Sequence, residues 1–372
     1  MLRIFRGRVC EMNPIHILVD SLADRGLPNA QMGNAREIIR RLDPARFQVS
    51  VFHLAEPDEL IAKRPRTRLI KLPARRKTAR IFAEFLTGQH DLLFYLKSSP
   101  ASRWYMRLRE RWRDGRITIG TVESQSNLRD EPTITPEGIR LWEDTVLRCD
   151  YLFSNSNAVQ KSLEREYGLR SRVVPTGVDT NFFTPDPKRL ANARPRVLFC
   201  GSLRPFKQPQ TVVEAAARFS QADFILAGEG FMAEELKARI ARERLSHVML
   251  RGLLSAEELR AEYRMADVFL FPSSWEGSPK VILEAASCAL PVIARKNYEP
   301  ETVVDGETGY LARSDEELFL RLNELLRNPE QRRRFGEAGR KHVEQFDWGC
   351  ITRRWEEVFV GLLHEQARGT AA

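Results

Sequence analysis

The chain has 372 residues, 42% hydrophobic and 29% charged, with a net charge of +9. That length exceeds one ordinary core and suits two domains, and the mix of apolar and charged residues excludes a low-complexity or fibrous chain. No apolar run approaches the ~20 residues that span a bilayer, and the five scattered cysteines (Cys10, Cys149, Cys200, Cys288, Cys350) argue against a disulfide or CxxC metal framework and for a reducing cytoplasm. Residues 1–11 carry charges too closely spaced for a signal-peptide core and read as a disordered extension. Strands are then expected at Ile15–Val19, Phe47–Phe52, Asp91–Tyr95, Ile117–Thr121 and Asp150–Ser154, with helices near 29–42, 101–113, 137–148 and 156–167. A polar stretch with three prolines, Asn181–Pro195, marks a linker. Beyond it, strands are expected at Arg196–Cys200, Asp223–Ala227, His247–Arg251, Asp267–Phe271 and Pro291–Arg295. Helices are expected near 208–219, 231–244, 255–265, 279–288 and 315–326, and again at 329–344 and 347–364. Such alternation specifies parallel sheets with helices on both faces.

The reading is α/β: two doubly wound, Rossmann-like domains facing across a cleft, spanning 12–185 and 186–345. The last segment, 346–372, spaces Trp348, Ile351, Trp355, Val358, Phe359 and Leu362 as one helical face, which needs an apolar surface and returns to the first domain. The positive charge is local. Residues 61–116 hold 16 Lys plus Arg against 4 Asp plus Glu, a net of +12 that leaves −3 for the rest. Within it Trp104, Leu108 and Trp112 fall at i, i+4 and i+8, flanked by Arg103, Arg107, Arg109, Arg111 and Arg113. A basic amphipathic helix with tryptophans suits an anionic membrane surface. The same spacing also suits an internal helix whose Trp–Leu stripe meets the sheet. No nucleic-acid motif accompanies the patch, so no nucleic-acid partner is expected.

Four loops after expected strands carry side chains that can do chemistry. Glu276 stands in the turn after Asp267–Phe271, and Glu284 lies a turn and a half into a helix expected to begin at Pro279. Two carboxylates so placed can each accept from vicinal hydroxyls, and the free amides of Gly277, Ser278 and Lys280 can meet phosphate; Pro279 has none to give. As ordinary features the two are a turn cap and a solvated helix glutamate. Glu284, however, is flanked by Val281, Ile282, Leu283, Ala285 and Ala286, where an unpartnered carboxylate is costly. The loop Gly201-Ser202-Leu-Arg204-Pro-Phe-Lys207 puts two cations where a diphosphate can lie, or is a plain surface loop. Gly228-Glu229-Gly230 is a tight turn or a close approach to a base. Glu123, at the tip of Ile117–Thr121, can bind an acceptor hydroxyl or cap its turn. The six histidines are dispersed, so no metal site is expected.

In their order, these segments resemble retaining GT-B glycosyltransferases of glycosyltransferase family 4. The resemblance runs from about Asp150 to Asp347 and includes Ser154-Asn-Ser-Asn157, Val174-Pro-Thr-Gly-Val-Asp179, Gly201–Lys207, Gly228–Gly230, the Glu276/Glu284 spacing and Glu301–Gly309. It implies a metal-independent enzyme that uses a UDP- or GDP-sugar as donor substrate, without a further cofactor, and a sugar or lipid-linked acceptor. Glycan, glycolipid or polysaccharide synthesis on the cytoplasmic side, peripheral to the inner face of the membrane, would suit it. It also implies that Glu276 binds hydroxyls of the donor sugar, Glu284 binds the ribose, and Lys207, with Arg204, meets the departing diphosphate. The chain departs from the family pattern at Ser202, where Arg is usual, and at Glu123, where His is usual. A GT-B sugar-nucleotide epimerase and a non-catalytic nucleotide-sugar-binding protein remain the rival readings.

Overall fold

In the computed structural model of the chain, residues 13–24, 30–112, 114–124 and 135–369 are described. The extension expected at 1–11 lies outside them. The first half runs β1 (Ile15–Leu22), α1 (Ala30–Arg41), β2 (Phe47–His53), α2 (Glu59–Lys63), β3 (Thr67–Lys71), α3 (Lys77–Thr87) and β4 (Leu92–Phe94). It continues through α4 (Pro100–Trp112), β5 (Ile117–Val122), α5 (Pro136–Glu143), β6 (Tyr151–Ser154), α6 (Asn157–Tyr167) and β7 (Arg172–Val173). The second half begins β8 (Arg196–Cys200), α7 (Pro209–Arg218), β9 (Asp223–Ala227), α8 (Ala233–Arg242), β10 (Val248–Gly252), α9 (Ala256–Met265) and β11 (Val268–Phe271). It ends α10 (Lys280–Ser287), β12 (Val292–Arg295), β13 (Gly309–Ala312), α11 (Asp315–Arg327), α12 (Pro329–Val343) and α13 (Trp348–Gly369).

The first sheet has the order β3-β2-β1-β4-β5-β6-β7 and the second β10-β9-β8-β11-β12-β13. All five pairings of the second sheet are parallel. Its strands are apolar because both faces are covered: Val268, Phe269, Leu270 and Phe271 are each fully buried. Helix starts are fixed locally. Ser255 and Glu258 form a reciprocal capping box on α9, and Ser156 accepts from the Val159 amide on α6.

The chain divides into two compact units. One takes residues 13–24, 30–112, 114–122, 135–153 and 352–369; the other takes Glu123, Ser124 and residues 154–351. The aromatic face of α13 is part of the first unit. Trp355 and Phe359 pack on Phe94 with ring centroids 4.7 and 4.9 Å away, and Glu356 accepts from the Asp43 amide at 2.7 Å. Each buried ring contributes on the order of 2–3 kcal/mol by removal from water.

Several expectations need correction. Helix 137–148 breaks into α5 and a 3₁₀ turn at Val146–Arg148. Pro279 caps α10 with extended backbone (ψ 111°) instead of occupying its first turn. Strands β3, β7 and β13 and helices α2 and α3 were not foreseen. The alternative that set the Trp104–Leu108–Trp112 stripe against the sheet does not hold. Helix α4 buries Ala101, Ser102, Tyr105 and Met106, and leaves Trp104 and Trp112 45% and 63% exposed.

Candidate functional site

β8 and β11 are neighbours, so the loops at their carboxyl ends are neighbours too. They are laced together by backbone. The Ser274 amide donates to the Phe206 carbonyl at 2.7 Å, the Ser274 hydroxyl donates to the same oxygen at 3.0 Å, and Phe206 stacks on Trp275 at 4.6 Å. This lacing brings together two of the residues singled out from the sequence: the Lys207 ammonium and the Glu276 carboxylate form an ion pair, with side chains only 16% and 11% exposed. Ser273 also donates to Glu276 Oε1 at 2.6 Å. The Lys207 Nζ sits 5.3 and 5.2 Å from the ring centres of Phe206 and Phe271, a low-dielectric setting in which a fixed charge is strongly felt.

Glu284 lies on α10, half-buried, and accepts from the Tyr263 hydroxyl at 3.0 Å. Burial pushes its pKa above the usual carboxylate value; the Tyr263 hydrogen bond and Lys280 oppose that. Burial and Glu284 together hold the Tyr263 phenol well above its ordinary value. The carboxylate is therefore held by a neutral donor, the Tyr263 hydroxyl.

Gly228 has φ +136°, and a Cβ there would lie 1.9 Å from the Gly201 carbonyl oxygen. The Gly228 amide donates to Gly252 at 2.8 Å and Gly201 donates to Ala227 at 3.0 Å. Glycine is needed here because two loop backbones cross. Beside the crossing lies a hollow of about 600 Å³ lined by Leu203, Gly228, Glu229, Gly230, Ala233 and Lys237, among others. Gly277 is just as confined: a Cβ would lie 2.1 Å from the Glu123 carbonyl oxygen and 2.8 Å from Asn155 Oδ1. Asn155 Nδ2 donates to that same Glu123 carbonyl at 3.0 Å, so Glu123 meets this loop through its backbone. Arg204, Ser202 and Ser278 are half-buried on the same two loops.

Sequence reasoning missed Ser273, Tyr263, Asn155 and Tyr298. Tyr298 is fully buried, its hydroxyl makes no hydrogen bond among the described residues, and Glu276 is among the charges that act on it. Only tertiary contact identifies these four, because each comes from a different element. Among the described residues no three His, Cys, Asp or Glu side chains gather as metal ligands, and no helix is long and apolar enough to cross a membrane.

The family described as Glycosyl transferases group 1 matches residues 182–342, and Glycosyltransferase Family 4 matches residues 35–182. The GDP-mannose-dependent α-(1-6)-phosphatidylinositol monomannoside mannosyltransferase of Mycolicibacterium smegmatis is 32% identical over 213 residues, which are 50% of this chain and 56% of that protein. The chain thus matches little more than half the length of that relative. Among solved structures, sucrose-phosphate synthase from Thermosynechococcus elongatus superposes with TM-score 0.78 at 20% identity, covering 95% of this chain and all of that one. Anabaena HepE, solved with UDP and glucose, superposes with TM-score 0.70 at 18% identity, covering 94% and 100%. These likenesses carry the fold, which is GT-B. With the two family matches meeting at residue 182 and together running from residue 35 to 342, the chain belongs to the glycosyltransferase family 4 group of GT-B proteins.

Proposed function

We propose that the chain transfers a sugar from a nucleotide diphosphate sugar to an acceptor hydroxyl, with retention and without a metal. The observation that carries this is the meeting of Lys207 and Glu276 at the carboxyl ends of β8 and β11, with Glu284 on the helix that follows. In this reading the nucleobase enters the hollow beside Gly228, Glu229 and Gly230, and the ribose hydroxyls donate to Glu284. Glu276 accepts from the sugar's hydroxyls, while Lys207, with Arg204 beside it, faces the diphosphate. Amides of Ser202, Gly277, Ser278 and Lys280 belong to the same edge, while that of Gly201 is already given to Ala227. The bond from the anomeric carbon to the diphosphate oxygen breaks, and the electron pair leaves on the diphosphate. The acceptor oxygen forms the new bond on the same face of the sugar and gives its proton to a phosphate oxygen. Most of the acceleration then comes from fixed positive charge at the departing diphosphate. Retention follows from the family resemblance.

A UDP- or GDP-sugar is the proposed donor, since the mycobacterial relative is named for GDP-mannose and the Anabaena protein was solved with UDP. The acceptor is a sugar or a lipid-linked sugar, and Glu123 remains its proposed contact. Work at the inner, cytoplasmic face of a membrane fits the exposed Trp104 and Trp112 among arginines on α4. The test is a thermal-shift screen with UDP-, GDP- and ADP-sugars on the wild type and Glu284→Ala. One nucleotide should raise the melting temperature of the wild type, and the variant should bind it roughly tenfold or more weakly. Wild-type-like binding by Glu284→Ala would remove the ribose role.

A further inference from the structure

We infer that the first unit holds a pocket for a phosphate-bearing ligand at the carboxyl end of β3, built on Lys71, Lys77 and Arg80. These three side chains line a hollow of about 670 Å³ together with Leu54, Leu72 and Pro73. From Ile61 to Ala83 the sequence places nine Lys and Arg and not one Asp or Glu. The fold gathers part of that charge around one cavity. Lys71 and Lys77 are exposed and have no ion-pair partner among the described residues. Arg80 reaches Glu84 at 3.1 Å, but that one carboxylate is also bound by Arg68 and by His90. Arg75 and Arg76 stand in the loop between β3 and α3.

Backbone adds to the field. Arg76 precedes the 11-residue α3 in the left-handed region (φ 65°), and no side chain caps that helix start. Its first amides are thus left for another acceptor. Leu72 is buried and, with Leu54 and Pro73, gives the hollow an apolar side next to its cations. Like charges gathered around one hollow repel one another, and an anionic phosphate ester would relieve that repulsion. Lys71 ends β3, so the hollow lies at the carboxyl end of this edge strand. In one respect this rests on the transferase reading: the phosphate would belong to the acceptor, either a lipid headgroup or a soluble phosphate ester.

The test uses the full chain, with glycerol 3-phosphate in a calorimeter and with vesicles of phosphatidylcholine with or without phosphatidylglycerol. Wild type is compared with Lys71→Gln/Lys77→Gln and with Lys188→Gln/Lys341→Gln, which removes the same charge at exposed positions elsewhere. A soluble ester as ligand predicts that glycerol 3-phosphate binds and that the pocket variant loses roughly tenfold or more. A lipid headgroup predicts the same loss for phosphatidylglycerol vesicles alone. Either result upholds the pocket. Equal binding by wild type and the pocket variant in both assays overturns it, as does an equal loss in the Lys188/Lys341 variant. Nucleotide-induced melting shifts on the same samples report the transferase reading separately.

Discussion

Charge is handled in opposite ways at the strand ends of the two units. In the second unit the ammonium of Lys207 and the carboxylate of Glu276 already hold each other in a mostly buried setting, and Glu284 is already held by Tyr263. In the first unit Lys71 and Lys77 stand exposed, without carboxylate partners among the described residues. A buried charge without a partner is prohibitively costly, so a site that works in low dielectric must be built with its counter-charges in place. Exposed lysines carry no such demand and can wait for a ligand to bring the opposite sign. The first arrangement suits chemistry at fixed atoms, and the second suits capture.

The sharpest break of this comparison is at Lys207. Lys207→Ala should lower turnover about 10²- to 10³-fold, the scale seen when a preorganised charge stabiliser is removed. It should also lower the melting temperature, because Glu276 is left buried without its counter-ion; breaking such a pair costs on the order of 3–5 kcal/mol. The double change Lys207→Met/Glu276→Leu separates the two roles, since an apolar pair of similar volume can restore stability. Recovered melting temperature with turnover still lost supports a chemical role. Turnover that recovers with stability would make the pair a structural clamp.

A smaller effect is expected on the first unit. Trp104→Ala/Trp112→Ala should weaken pelleting with anionic vesicles about tenfold, from roughly 1–2 kcal/mol of lost apolar contact. Nucleotide-sugar affinity should not change, since the proposed donor site is built from residues of the second unit. Equal pelleting of variant and wild type would leave these rings as surface residues with no membrane role. A change in nucleotide affinity would blur the division of labour between the units.

How much of this was legible in the sequence depended on burial. Strands covered on both faces announce themselves, as Val268-Phe-Leu-Phe271 does, and every such strand of the second sheet was foreseen except β13, a four-residue Gly-Tyr-Leu-Ala. Edge strand β3, Thr-Arg-Leu-Ile-Lys, was hidden by its own charges, which an edge position tolerates. Helix α3 starts on Arg76 and Lys77, with no capping signal to mark it. In α4 the helical period was plain, but Tyr105 and Met106 compete with Trp104 and Trp112 for the inward face, and period alone does not choose between them. The spacing of Glu276 and Glu284 could be read along one loop and helix. The Lys207–Glu276 pair could not, because it depends on β8 lying next to β11, a fact of strand order.

The finest test of the comparison is the pH response of Glu284. Burial raises its folded-state pKa above the 4.5 of the free side chain. A raised folded value means that the fold favours the protonated form. The stability it contributes is fully present below about pH 4.5 and is lost as pH rises through the raised value. Glu284→Gln, which keeps an oxygen for the Tyr263 hydroxyl, should therefore melt slightly above the wild type at neutral pH, with the gap closing as pH falls toward 4.5. Donor binding should run the other way. Ribose hydroxyls that donate to the carboxylate favour its ionised form, so wild-type affinity should drop as pH falls through the same window. Affinity of the Gln variant should be weak and flat there. If melting temperature and donor affinity show the same pH slopes in wild type and variant, Glu284 neither strains the apo fold nor receives the ribose, and the second unit's charges would be only structural.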